Sequence, residues 1–371
     1  MECVCIGERN DIIMSETFEF LDLESLHGVV ENVSIEKQIE AKKIISKIKK
    51  QSMEKAKLSE CYYCKKEVKG MCNSHTVPAF ALKNIAVDGK LYSMNSLINN
   101  PFLKDELGIK ESGTFHIICR ECDGRIFQHY ENEDAYFKKP DGKILSEIAL
   151  KNSLKAIYKR KFEHQLIDHT PLKSISAQQF VGSLDLNDYE KLFKYSQKAT
   201  EKSFGDEFYL YEYIELNYTV PIAFQGPIAL PVDLQGTQIN NLYDFDPKYE
   251  IKHIEIAILP LQNKSIILLF VEKDNHRYRQ FFKQLSKCSL NDKLKIINYI
   301  VFAFTEDFFL SPKLEKNVLL EINKIAKLTS FASFNPMQSS LFELKYSVDK
   351  KFDFKNADEI PNILLEKYKV N

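Results

Sequence analysis

The feature that most constrains this chain is two CxxC pairs set far apart. Cys61 and Cys64 stand in CYYC, Cys119 and Cys122 in CREC, and 54 residues lie between Cys64 and Cys119. Four thiols in matched pairs suit the tetrahedral coordination of a zinc ion. Sulfur ligands also favour zinc over hard ions such as magnesium or calcium. A simple zinc ribbon separates its pairs by only ~15–20 residues. The longer segment here must therefore leave the metal, fold and return. That segment carries Cys72 and, in SHTVP, His75. Cys61, Cys64, Cys72 and His75 form a competing ligand set. The two matched pairs are preferred because they use all four paired thiols and leave the histidine free.

The chain has 371 residues and a formal net charge of -1. Its length exceeds the ~250–300 residues at which single cores stop growing, so more than one domain is expected. The near-zero charge lacks the global basic footprint of a strong nucleic-acid binder. The longest apolar run, Ile296–Phe304, is interrupted by Asn298 and falls short of the ~20 residues a bilayer requires. The opening MECVCIGERND lacks the basic stretch and apolar core of a secretory signal. The expected location is the cytoplasm, with no membrane partner, and reducing conditions there disfavour disulfides. Cys3 and Cys5 read as part of a buried N-terminal strand, and Cys288 as buried and inert.

Four regions follow from composition and periodicity. Residues 1–57 comprise an acidic segment, with eight Asp/Glu against one Arg in the first 34 residues, and then a lysine-rich amphipathic helix with Ile39, Ile44, Ile45 and Ile48 on one face. Residues 58–140 hold the cysteines and histidines. Residues 141–205 read as helical: one helix after Pro140-Asp141-Gly142 and another over 187–203. The first is basic, and its Lys151, Lys155, Lys159, Arg160 and Lys161 form a candidate nucleic-acid contact. Residues 206–371 read as a mixed α/β domain. EFYLYEYIELNYTVPIAF has strand character, and IKHIEIAILPLQNKSIILLFVEKD reads as a hairpin. Helices are expected over 276–286, 290–304 and 312–328, the last with Ser311 as N-cap and Pro312 at its first position. The fold class expected is α+β.

In the cysteine region, a strand-like run at Phe115–Ile118 leads into the second CxxC, where a helix begins. That helix places Asp123, Phe127 and Glu131 at i, i+4 and i+8 on one side. CYYC, SHTVP, IICRECD and FQHYE together resemble the HNH endonuclease family, and more narrowly an uncharacterised bacterial branch of it. The resemblance covers about residues 58–137. It implies a ββα-metal core of treble-clef type, with Cys61, Cys64, Cys119 and Cys122 as structural zinc ligands. It implies His75 as general base, a neutral imidazole able to take a proton from attacking water. Asp123 stands where many members carry a metal-binding histidine, and as a carboxylate it suits a catalytic Mg²⁺ or Mn²⁺. His129, Glu131 and Asn84 are candidates for a second metal or a supporting role, and His116 and His129 lie near enough to stand in for the missing histidine. The asparagine that orients the base in the family has no unambiguous counterpart; Asn84, Asn95 and Asn99 are candidates. Two departures stand out. Ser74 occupies the position before the histidine, where many members carry an acidic metal ligand, and the gap from His75 to Cys119 is longer than is typical.

Two functions are therefore in play. One is a metal-dependent endonuclease acting on nucleic acid, with DNA expected before RNA; the resemblance associates such modules with phage defence and mobile elements. The other is a zinc-finger protein without catalysis that binds nucleic acid or a protein partner.

Overall fold

The computed structural model describes residues 57–93, 106–167, 175–202, 208–242, 244, 246–334 and 353–370, with single positions between 36 and 55. Cys3, Cys5, Asn95 and Asn99 lie outside the described residues.

In chain order the elements are β1 (Ser74–His75), α1 (Ala79–Ile85), β2 (Lys90–Tyr92), β3 (Glu106–Gly108), β4 (Thr114–Phe115), α2 (Arg120–Ile126), α3 (Gly142–Ile167), α4 (Ile175–Lys202), β5 (Tyr209–Leu216), β6 (Ile222–Ile228), β7 (Ile254–Pro260), β8 (Ser265–Glu272), α5 (Arg279–Leu285), α6 (Leu290–Phe304), β9 (Phe309–Leu310) and α7 (Lys316–Phe334). This is a mixed helix-and-sheet architecture. The described positions from 36 to 55 are helical.

One sheet organises the fold. Its seven strands run in the order β3-β2-β9-β6-β7-β8-β5, and every pairing is antiparallel. β7 and β8 form the expected hairpin, Pro260 opposite Ser265. Both strands are buried on both faces, and alternation divides them between two cores. Ile254, Ile256, Ile258, Ile267, Leu269 and Val271 pack with α5, α6 and α7. Ala257, Leu259, Ile266, Leu268 and Phe270 face α3, α4 and the cysteine region. The continuous apolar runs in the sequence reflect this double burial.

The boundaries expected at 140 and 206 are not breaks in packing. β2 and β3 come from the segment between the two CxxC pairs, yet they extend the C-terminal sheet. Leu310 of β9 pairs with Tyr92 on one side and Ile222 on the other. The excursion between the cysteine pairs is thus one of the links to the rest of the chain.

The helices mostly follow the sequence expectation. α6 starts where expected because Ser289 caps it, accepting from Asp292 N–H at 3.2 Å. α4 begins earlier than expected, at Ile175. α7 begins at Lys316, later than expected, because Ser311 closes a local turn, its hydroxyl accepting from Lys313 N–H at 3.3 Å and its carbonyl from Leu314 N–H. Among the described residues no helix is long and apolar enough to cross a membrane.

Candidate functional site

The two cysteine pairs converge. The sulfurs of Cys61, Cys64, Cys119 and Cys122 all lie within 4.8 Å of one another, with three of the four residues buried. Zn–S bonds of ~2.3 Å place tetrahedral sulfurs ~3.8 Å apart, so four soft donors at this spacing fit a metal ion such as zinc. Each pair is shaped by its backbone. In the first, Cys61 N–H donates to Lys66 O at 2.9 Å and Lys65 N–H to Cys61 O at 2.9 Å, with Lys65 in the left-handed region at φ 59°. In the second, Cys119 precedes α2 and its sulfur accepts from Cys122 N–H at 3.5 Å. The pairs are joined by Cys119 N–H to the Cys61 sulfur at 3.3 Å and by Tyr62 N–H to Ile117 O at 2.8 Å. Burial pushes the thiols of Cys61 and Cys122 up, whereas the Lys66 N–H lowers that of Cys64.

Cys72 and His75 are outside this cluster, which decides between the two ligand sets. The Cys72 thiol donates to Asp123 Oδ2 at 3.4 Å. Burial and the adjacent Asp123 carboxylate push that thiol up to about 11, so it stays a protonated donor.

His75 lies on β1, paired with β4 in the register Ser74–Phe115 and His75–Thr114. β4 is followed by Cys119 and α2, while α1, β2 and β3 lie between β1 and β4 in the chain. Gly113, just before β4, sits at φ +64°, and a Cβ there would meet the Phe309 ring at 3.0 Å. Its carbonyl accepts from both the N–H and hydroxyl of Thr76, which fixes the strand directly after His75. The imidazole Nε2 is 2.9 Å from the carbonyl oxygen of Ile109. A carbonyl only accepts, so in the neutral ring the proton sits on Nε2 and Nδ1 keeps its lone pair. Among the described residues Nδ1 has no hydrogen-bond partner. Ile109 also lines a shallow groove of about 630 Å³ bordered by Gly89, Lys90, Gly108 and Lys110.

Asn84 does not orient this ring. Its Nδ2 donates to Glu133 Oε1 at 3.2 Å and to Pro260 O at 3.1 Å, tying α1 to the end of β7. A backbone carbonyl holds the histidine instead. His129 lies in the turn after α2, and its Nδ1 is buried with no hydrogen-bond partner among the described residues. His116 stacks edge-on to Tyr158 of α3 at 6.0 Å, and burial holds its imidazole below the usual value.

Asp123 and Glu131 do come together, around a residue expected elsewhere. α2 ends at Ile126, but Phe127 N–H to Asp123 O and Glu131 N–H to Phe127 O continue the helical spacing. Asp123, Phe127 and Glu131 therefore share a face, and all three meet Lys151 of α3. The Lys151 ammonium donates to Asp123 Oδ1 and to Glu131 Oε1, each at 2.8 Å, and sits 3.9 Å from the centre of the Phe127 ring. Its side chain is 0% exposed. Asp123 Oδ1 also accepts from the buried Ser74 hydroxyl at 2.5 Å. Burial alone would raise the Asp123 carboxyl; Lys151, with the hydrogen bonds from Ser74 and Cys72, outweighs it and holds the group below its ordinary value. For Glu131 burial prevails over Lys151 and the carboxyl is raised.

These contacts bear on the implied Mg²⁺ or Mn²⁺. Such ions require oxygen ligands at ~2.0–2.1 Å in near-octahedral order. Both Asp123 oxygens are already engaged, and a cation already lies between Asp123 and Glu131. The donor set does not fit a divalent ion.

The basic helix is likewise not the exposed face expected. Lys151 is interior. Lys155 and Lys159 both pair with Asp307, at 2.8 and 3.4 Å, and hold its carboxyl far below the ordinary range despite burial. Arg160 pairs with Asp185 at 3.2 Å and with Glu163. Lys159 and Arg160 still reach solvent, but these cations of α3 are matched to carboxylates of this chain.

Comparison of the chain with protein-family models, with curated proteins and with solved structures finds no match.

Proposed function

We propose that residues 58–137 form an HNH-like, zinc-scaffolded hydrolase of nucleic-acid phosphodiester bonds, with DNA as the expected substrate and His75 as general base. The observation that supports this reading is the anchored imidazole: Nε2 held by the Ile109 carbonyl, on the strand paired with β4. In that tautomer Nδ1 can take a proton from water as the water oxygen attacks phosphorus. The bond to the leaving oxygen then breaks, and that oxygen takes a proton from solvent. A zinc ion on the four cysteines has all its positions filled by sulfur, so it would supply structure alone. It would join the first knuckle to the start of α2 in the manner of a treble clef.

The test compares zinc-loaded wild type with folded His75→Ala on plasmid DNA, single-stranded DNA and RNA. Loss of a general base costs ~10²–10⁴-fold in rate, and a loss of that size is expected. Equal cleavage by both proteins, or none by either on all three substrates, overturns the reading.

A second reading is favoured by Lys151. With an ammonium fixed between the two carboxylates, the unit has the form of a zinc-held module that binds nucleic acid or a protein partner without cleaving it. It expects partner binding that survives His75→Ala.

A further inference from the structure

The geometry points to Lys151 as the built-in cation of the Asp123–Glu131 corner: its ammonium stands where a divalent ion would be held, and while it is there the corner takes neither Mg²⁺ nor Mn²⁺. This inference stands whether the module hydrolyses nucleic acid or only binds it.

The first argument is saturation. An ammonium has three N–H donors. Two go to Asp123 Oδ1 and Glu131 Oε1, and the face of Phe127 lies 3.9 Å from the nitrogen. The ring face is itself attractive to a desolvated cation. Two of the three protons of Lys151 are thus taken by carboxylates of this chain, and its side chain has no exposed surface through which to reach an outside phosphate.

The second argument is space and charge. A divalent ion on Asp123 Oδ1 would lie on the side the ammonium already occupies, at a shorter distance. Admitting it would strand a buried ammonium against the rings of Phe115 and Phe127. Holding a charged group out of water without its partners is strongly unfavourable, even after relaxation. Ser74 completes the closure. Its hydroxyl donates to Asp123, so it acts as one more proton donor to the carboxylate and leaves the metal no second anionic ligand.

The third argument is what removal of Lys151 would leave. Two carboxylates eight residues apart would face one cavity with no cation between them. That is an arrangement of oxygen donors that hard divalent ions accept.

The experiment uses the full-length zinc-loaded chain with Mn²⁺ as probe, titrated by electron paramagnetic resonance. Wild type is expected to show no stoichiometric Mn²⁺ beyond what Asp123→Asn shows, which removes surface binding from consideration. Lys151→Ala is expected to gain one Mn²⁺ per chain, lost again in Lys151→Ala/Asp123→Asn. One Mn²⁺ per wild-type chain, abolished by Asp123→Asn, overturns the inference. A folded Lys151→Ala that binds no Mn²⁺ also overturns it, since the corner would then not resemble an ion site. Should Lys151→Ala fail to fold, Lys151→Gln takes its place. The wild-type comparison with Asp123→Asn decides independently of either.

Discussion

Cys122 and Asp123 are consecutive residues of one short helix, yet they belong to two clusters that handle buried charge in opposite ways. On the Cys122 side four sulfurs lie within 4.8 Å of one another. On the Asp123 side the compensating charge is covalently part of the chain, as Lys151. The first cluster could hold a metal ion from outside. The second has admitted an ammonium and so has no need of one. Adjacent positions in sequence can thus carry the appearance of one metal-binding motif while the physics assigns them different counter-ions.

The sharpest way to break this comparison is to remove a sulfur. Structural zinc contributes folding energy directly, on the order of 10–16 kcal/mol in isolated zinc-finger peptides. Cys119→Ser should therefore lose the bound metal and the ordered fold around β1, β4 and α2. Metal analysis should fall from about one zinc per chain, the occupancy of a closed four-ligand site, to well below it. Amide exchange should lose protection through the cysteine region, while β7 and β8 remain protected. Retention of full zinc and full protection would show that the four cysteines are not the site.

The next largest effect should come from Lys151→Met. Removing one partner of a buried ion pair typically costs about 3–5 kcal/mol, because the remaining charge is left uncompensated. Urea denaturation should show a loss in that range. The double variant Lys151→Met/Asp123→Asn should recover part of it, since an amide in place of the carboxylate needs no cation. A single-variant loss below about 1 kcal/mol, the scale of an exposed pair, would mean that Lys151 is not the counter-ion described here. The same pair predicts an acid effect. The Asp123 carboxyl is lowered in the fold, so its contribution is present above the unfolded value of about 3.9. It is lost as pH falls through the folded value.

How much of this is legible in the sequence differs between the two clusters for a physical reason. The four-cysteine set can be read from spacing alone, because coordination chemistry permits few alternatives for two CxxC pairs. The β7–β8 hairpin can be read for a similar reason: two apolar runs around LQNKS have one compact way to pair. Spacing puts Asp123, Phe127 and Glu131 on one face, but it does not say what that face meets. Lys151 reads as part of a basic stripe on the helix surface. The signal against that reading is present in EIALKNSL, where Lys151 and Asn152 are flanked by Ile148, Ala149, Leu150 and Leu154. Every residue from 144 to 154 is buried, Ser146, Glu147, Lys151, Asn152 and Ser153 included. A helical stretch buried all round has no polar face to find, so Lys151 has to be matched to partners on another element, Asp123 and Glu131; further along the same helix Lys155, Lys159 and Arg160 find Asp307 and Asp185. The Ile109 carbonyl that holds His75 is likewise beyond reach, because a backbone acceptor carries no residue signature. The sheet shared by β2, β9 and β6 is hidden because β2 and β9 are three and two residues long, too short to show a period.

A third buried charge sharpens the comparison, for it has neither a metal nor an ammonium. Glu255 of β7 is 2% exposed; its Oε2 accepts from Asn152 Nδ2 at 2.7 Å, and Asn152 Oδ1 accepts from Gln225 Nε2 at 2.9 Å. Among the described residues no cation pairs with this trio, and burial pushes the Glu255 carboxyl up to about 8. The counter-ion here is a proton. In the unfolded chain a glutamate ionises near ~4.3, so between that value and about 8 the folded chain holds one proton more than the unfolded chain. Stability from this group is fully present at low pH and is lost as pH rises through the window, by up to about 1.4 kcal/mol per pH unit. Glu147 of α3, pushed up to about 7 by burial, acts in the same direction over a shorter range. Glu255→Gln keeps the shape and removes the titration. Urea denaturation across mildly acidic to mildly alkaline pH should show the variant losing less stability with rising pH than wild type, the difference being the Glu255 contribution. A variant slope equal to that of wild type would mean that Glu255 is ionised in the fold, and that some cation or water reaches it.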